Sequence, residues 1–466
     1  MIRHVILILS TVLVMSCSSD SPDPVTEPQE ENPDGGNGGE NPDSEPQLTD
    51  AELLDLTQSE TFKYFWDYAN TESGAAKERY IPANPTRDQQ IVATGGTGFG
   101  LMGILVGIER NFVSRAEGFN RLSKIINFLE TADRFHGAWP HWMNGATGDV
   151  IPFSTLDDGA DLVETSFVAQ GLITVGEYFK NGSAEEQALA QKAFKLIDGI
   201  EWNWFTKGEN VLYWHWSPEN EFAINLRLQG YNETLITYVM AAASKDYSID
   251  PEVYNQGWAQ NGGIKSSAVA YGYPLEVRHA GEEQTGGPLF WAHYSYLGLN
   301  PFGLSDAFVN YETATVNHAL SNYAYCVENP KNWPGYASNL WGLTASYTIN
   351  SDGSLGYTAH SPGNDTGVIT PTAALSSFPY TPEKSMAALR RFYELKNILL
   401  GPAGFYDAFS PVQNYEVAEA YLAIDQGPIL VMIENYRSGL LWKLFMQNER
   451  VQAGLDKLNI TYTIPQ

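Results

Sequence analysis

Between Leu156 and Phe167 the chain places four carboxylates, Asp157, Asp158, Asp161 and Glu164, at the mouth of an otherwise apolar helical stretch. At about 100° per residue, Asp157, Asp161 and Glu164 fall within one narrow sector of a helical face. Leu162, Val163, Phe167, Val168 and Leu172 cover most of the remaining circumference, and a helix apolar nearly all round is buried. Carboxylates on such a helix cost free energy unless they are paired, capped or held at a shifted pKa for proton transfer. The first chemistry to consider is therefore acid/base hydrolysis. The simpler reading is that one or two of the four only cap orphan N–H groups, a contribution of about 1 kcal/mol each.

A second acid, Glu233, lies in the first turn of a predicted helix beginning at Asn232, after the aromatic run Trp202, Trp204, Tyr213, Trp214, His215 and Trp216. A carboxyl in apolar surroundings has its pKa raised, as a general acid for a glycosidic oxygen requires. Capping, with Asn232 as the cap, is the competing reading. A third acid group comprises Asp407, Asp425 and Glu434. Asp425, just before Gly427-Pro428, suits an N-cap, with a role as base or substrate ligand as the alternative.

Sugar rings stack their C–H faces on aromatic side chains, and the long loops are rich in candidates. Trp139, His141 and Trp142 share one loop, Trp214 and Trp216 a second, Trp291 and His293 a third, and Trp341 a fourth. These, with Asp425, are the expected substrate contacts. No cofactor or metal is expected: the eight histidines are scattered, with no H-E-x-x-H or paired-cysteine spacing. Gly98-Phe-Gly-Leu-Met-Gly103 matches a dinucleotide fingerprint but follows no strand, so close helix packing is the expected reason for its glycines.

These residues must be positioned by helices. Candidates are Ala51–Tyr68, Gly98–Glu109, Arg115–Thr131, Asp161–Phe179, Ala184–Ile200, Asn232–Ala243, Phe290–Tyr296, Tyr311–Cys326, Pro382–Leu399, Glu416–Ala423 and Pro428–Leu444. About a dozen helices without a convincing alternating strand imply an all-α fold. Tight links alternate with long ones, running 136–156, 201–230 and 346–381, which implies helical hairpins packed around a shared axis.

The body is preceded by segments of a different kind. Residues 1–17 read as an export signal, with a short apolar run from Val5 to Met15 and a Leu-Val-Met-Ser-Cys lipobox that makes Cys17 the lipid attachment site. Residues 18–48 form an acidic Pro/Gly-rich tether, and 49–466 one body. If Cys17 carries lipid, only Cys326 remains and no intrachain disulfide is possible. Of the net charge of −28, about −19 belongs to the body, which repels nucleic acid and anionic headgroups. The expectation is an exported lipoprotein on the periplasmic face or cell surface, a monomer that meets the membrane only through lipid and takes a neutral glycan as partner.

The stretch Ser154–Asp161 resembles glycoside hydrolase family 144, the endo-β-1,2-glucanases formerly described as glucoamylase-like. Matching phrases extend over most of the body: Phe62–Trp66, Thr97–Gly100, Gly230–Thr234, Pro288–His293, Gly404–Asp407, Ile424–Pro428 and Glu434–Gly439. The resemblance implies an (α/α)6 barrel and inverting hydrolysis of β-1,2-glucan to sophorose-type oligosaccharides. It carries the essential carboxylates to Asp157, Asp161 and Glu233. Rival expectations are a lipid-anchored glycan-binding protein without activity, and the same barrel acting on another glucan linkage.

Overall fold

The computed structural model of the protein describes residues 48–350 and 352–465. The signal, the lipobox Cys17 and nearly all of the tether lie outside these residues.

The chain runs through α1 (Asp50–Trp66), α2 (Thr94–Glu109), α3 (Arg115–Thr131), α4 (Leu162–Phe179), α5 (Ala184–Asp198) and α6 (Leu235–Ala243). It continues through the short α7 (Pro251–Val253), which runs into a π turn at Tyr254–Trp258, and 3-10 turns at Leu289–Ala292 and Tyr294–Tyr296. Then follow α8 (Tyr311–Glu328), α9 (Pro371–Leu375), α10 (Pro382–Glu394), α11 (Lys396–Leu399), α12 (Ala423–Ser438), α13 (Leu440–Met446) and α14 (Glu449–Lys457).

Six inner elements form a ring. α2 packs on α4, α4 on α6, α6 on the Tyr294–Tyr296 turn, and α9 on α12, which returns to α2. Outside them, α1 covers α2 and α12, α3 covers α2, α5 covers α4, the π turn covers α6, α8 covers the Leu289–Ala292 turn and α10 covers α9. This is the (α/α)6 barrel. Sequence dictates the two layers: every residue of α6 is buried, as is nearly every residue of α2 and α4. α3 and α5 bury single stripes and open on capping boxes, Ser114 with Glu117 and Ser183 with Glu186, which satisfy orphan N–H groups where water would otherwise have to.

Inner helices approach closely where glycine permits. A Cβ on Gly98 would lie 2.3 Å from the Phe167 carbonyl oxygen, and one on Gly171 would lie 2.4 Å from that of Gly98. The glycine motif is thus a helix-packing device; a short strand, Ile91–Ala93, does lead into α2, against expectation, but it pairs antiparallel with Trp142–Asn144 and builds no βαβ unit. α14 packs against the C-terminal end of α6, with Gly454 against Ala243. Glu434 leaves the third acid group for a structural role, because Arg110 grips it at 2.7 and 2.9 Å and Gln58 and Ser438 donate to it.

Two expected helices differ. Residues 290–296 form 3-10 turns broken at His293. Residues 416–423 hold two short strands, Glu416–Ala418 and Tyr421–Leu422, because Ala408–Ser410 pairs with the first and Arg79–Tyr80 with the second. α9 escapes a periodicity search, being one turn long and buried throughout, whereas α14 adds to the expected helices although it buries Val451, Gly454 and Leu455 at helical spacing. A hairpin of Ala345–Ile349 with Leu355–Ala359 fills part of the long 346–381 connection.

Candidate active site

The acidic mouth of α4 is assembled by a turn and a cap, where the sequence implied a continuous helical face. Residues 157 and 158 precede the helix, Ala160–Asp161 pairs with His215–Trp216, and Asp161 is the N-cap. Asp161 Oδ1 accepts from the N–H groups of Val163 and Glu164 at 2.9 Å each, while Oδ2 meets His141 Nδ1 at 2.7 Å. Asp157 lies beside this pair, its Oδ2 3.9 Å from His141 Nδ1 and its Oδ1 3.3 Å from His215 Nε2. Both oxygens of Asp157 are buried without a hydrogen-bond partner. Asp158 points elsewhere: both its oxygens receive Asn220 Nδ2 at 3.1 Å, which latches the 217–220 loop. Glu164 Oε2 accepts from the Gly95 N–H at 2.6 Å, linking the N-terminal ends of α2 and α4. A side chain at Gly95 would strike that carboxylate.

Electrostatics bind these groups into one unit. Burial drives Asp157 and Glu164 well above the usual carboxylate range, and Asp161 reinforces the shift in both. His141 responds oppositely. Burial works against its charge, but Glu164, Asp161 and Asp157 outweigh it and push its pKa up to about 9. Burial lowers His215, which leaves a neutral ring against Asp157.

Glu233 enters from α6. It stands before the first helical residue, and Asn232 accepts from the Thr234 N–H in an Asx turn without capping the helix. Ser295 replaces the missing cap by accepting from Ile236 N–H at 3.1 Å and donating to the Glu233 carbonyl. Burial raises the Glu233 carboxyl to about 7, and the charges of Asp161 and Glu164 add to the effect. Glu233 therefore shares a field with the α4 acids. Tyr294, whose hydroxyl is buried without a partner, is held neutral by that burial and by the charges of Asp425, Glu164 and Glu233.

Asp425 occupies the first turn of α12, buried, rather than its N-cap position, which Leu422 fills. Burial raises its pKa strongly, and Asp407 is its interacting neighbour. Asp407 Oδ2 accepts from the Tyr347 N–H at 2.7 Å. Two interacting carboxyls in a dry site cannot both ionise cheaply, which favours the neutral form of Asp425.

The expected aromatic contacts divide. Trp142 and Trp214 are half-buried beside the acids: His141 stacks on Phe153 at 4.1 Å, Trp142 meets Phe153 edge-on at 4.8 Å, and Trp214 meets His141 edge-on at 6.4 Å. Trp291 is half-buried against His279. Trp216 turns its ring to His136 and Trp204, away from the neighbouring His215 and its carboxylate. Trp139, Trp341 and His293 are corrected to core. Trp139 and Trp341 are fully buried and donate to the carbonyls of Leu129 and Lys384. His293 pairs with Ser377 at 3.0 Å, and burial lowers its pKa to about 3. A tryptophan beside proline in a loop looks the same in sequence whether it lines a cleft or roofs a core. His215, which sequence reasoning passes over as one member of an aromatic run, faces Asp157; its alternation with Trp214 and Trp216 carries the signal.

Donor atoms of His141, Asp157 and Asp161 lie within 4.8 Å of one another, so these three could hold a cation. Sixteen to twenty residues separate His141 from the acids, which conceals the grouping from any short spacing rule.

Comparison with known proteins accords with this geometry. The family described as "Glycoamylase: Putative glucoamylase" matches residues 225–449. An exo β-1,2-glucooligosaccharide sophorohydrolase of Parabacteroides distasonis is 42% identical over 434 residues, 88% of this chain; the chain spans 58% of that relative's length. A structure of the Chitinophaga pinensis endo-β-1,2-glucanase with sophorotriose and glucose is 52% identical, covering 89% of this chain and 99% of that one, with a TM-score of 0.87. The Talaromyces funiculosus endo-β-1,2-glucanase, 12% identical with a TM-score of 0.61 over 89% of this chain and 92% of that one, shares the fold. By 52% identity and superposition over 89% of its length, the chain belongs to the bacterial β-1,2-glucanase family of glycoside hydrolases.

Proposed function

We propose that the protein hydrolyses β-1,2-glucan to sophorose-type oligosaccharides with inversion at the anomeric carbon. The observation that carries this reading is the meeting of Glu233, raised to about 7 by burial, with the fields of Asp161 and Glu164 from a different inner helix. The similarity to endo- and exo-acting β-1,2-glucan enzymes supplies the linkage.

In the proposed mechanism Glu233, protonated near neutrality, gives its proton to the leaving glycosidic oxygen. Asp157 or Asp161 handles the incoming water, directly or through a substrate hydroxyl. Asp157 has two free oxygens for this task, whereas Asp161 is already engaged by His141 and its own helix. Inversion needs acid and base about 6.5–9.5 Å apart so that water fits between them. His141, Trp142, Trp214, Trp291 and Asp425 are proposed substrate contacts.

The lipobox ending at Cys17 supports export as a lipid-anchored protein on the periplasmic face or cell surface, and we assign it a monomeric state. Among the described residues no helix is long and apolar enough to cross a membrane.

Incubation with a panel of linkage-defined glucans tests the function. Shortening of β-1,2-glucan alone, with the new reducing end first seen by NMR as the α anomer, is expected. Cleavage of an α-1,4-glucan in preference would overturn the linkage.

A further inference from the structure

The hairpin that joins Ala345–Ile349 to Leu355–Ala359 stands at the N-terminal end of α9, where Ser346 Oγ meets the N-cap Thr370 Oγ1 at 2.9 Å. Tyr357 on its outer strand is 49% exposed. It stands directly across from Tyr347, so the two side chains leave the same face of the ladder. Tyr347 is tied down: its N–H donates to Asp407 and its hydroxyl meets Arg79 Nη1 at 3.5 Å. Tyr357 is therefore carried on a strand anchored to the Asp407–Asp425 pair, with a ring that solvent reaches.

Tyr357 shares the field of the buried carboxyls. Asp425, Asp407, Glu78 and Tyr347 act on its hydroxyl, and Tyr357 in turn acts on Tyr294, the residue that also faces Glu164 and Glu233. An accessible aromatic face bounded by carboxyl groups from separate elements suits a neutral ring with apolar C–H faces and repels an anionic one. An all-equatorial glucosyl unit fits that description.

We propose that Tyr357 is a glucosyl-binding platform on the α9–α12 bank of the cleft, stacking on one sugar of the β-1,2-glucan chain. This rests on the β-1,2-glucan reading and adds a subsite to it. Tyr357 acts by holding the chain, so its removal weakens binding more than it slows the bond-breaking step.

Initial rates of Y357A, Y357F and Y357W on long β-1,2-glucan test the proposal, with circular dichroism and thermal melts to establish folding. KM for Y357A is expected to rise about fivefold, the size of a lost stacking contact, with kcat falling less than twofold. Y357F and Y357W, which keep an aromatic face, should restore the wild-type KM. An unchanged KM in Y357A beside an active wild type overturns the platform alone. So does a Y357F variant as impaired as Y357A, since the hydroxyl would then matter and the ring would not. A wild-type protein idle on β-1,2-glucan overturns the functional reading and the platform with it.

Discussion

His141 Nδ1 meets Asp161 Oδ2 at 2.7 Å while the other oxygen of the same carboxylate caps α4. One side chain thus fixes a loop and a helix start, and sets the imidazole that borders Asp157. Asp161→Asn retains a competent capping oxygen, so folding should survive with a stability change of about 1 kcal/mol or less. Turnover should still fall by about two orders of magnitude or more, because the amide no longer balances the charged His141. Melting curves and kcat measured on the same preparation check both halves.

Asp157 gives the opposite stability expectation. Its two buried oxygens lack hydrogen-bond partners. Burial keeps its folded pKa above the unfolded value, so its stabilising proton is present below the unfolded pKa and lost as pH rises through the folded one, near 7. Asp157→Asn removes that cost and should hold or raise the melting temperature at pH 8 while abolishing most activity. A melting temperature several degrees lower at pH 8 would contradict this.

The same sign governs activity. Glu233 must carry its proton to act as acid, and burial holds its pKa at about 7. kcat/KM should therefore decline as pH rises through about 7, tenfold per unit well above it, while ionisation of the base shapes the acidic side. His141, at about 9, remains charged across the working range. A profile flat from pH 6 to 9 would exclude Glu233 as the acid.

Inner-helix spacing offers a test away from the chemistry. Gly98→Ala places a methyl 2.3 Å from the Phe167 carbonyl, and backbone cannot yield as a flexible side chain can. A loss of about 3 kcal/mol is expected by thermal or urea denaturation, because α2 and α4 must separate.

Much of this was legible in the sequence. Capping signals at Ser183 and Glu186 fixed the start of α5 to the residue, those at Thr49 and Glu52 placed the start of α1 within one residue, and glycine without a βαβ context marked helix contact. Asp157, Asp161 and Glu233 stood out because carboxyls beside apolar helices need a reason. Period 3.6 misplaced Asp157, since a turn and a two-residue strand bring it to Asp161 by a route that only mimics a helical face. Tyr357 and Asp407 could not be joined by pattern: fifty residues separate them, and the hairpin that relates them reaches Asp407 through the backbone N–H of Tyr347. Trp139 and Trp341 show the limit of composition, for burial is decided by neighbours far along the chain.

The most direct test is turnover of Glu233→Gln on β-1,2-glucan against wild type, with ligand binding measured alongside. Products of the sophorose series from the wild type, a fall of at least a thousandfold in kcat for the variant, and retained binding are the expected results. A glutamine variant that cuts the glucan at a rate close to wild type would contradict the account.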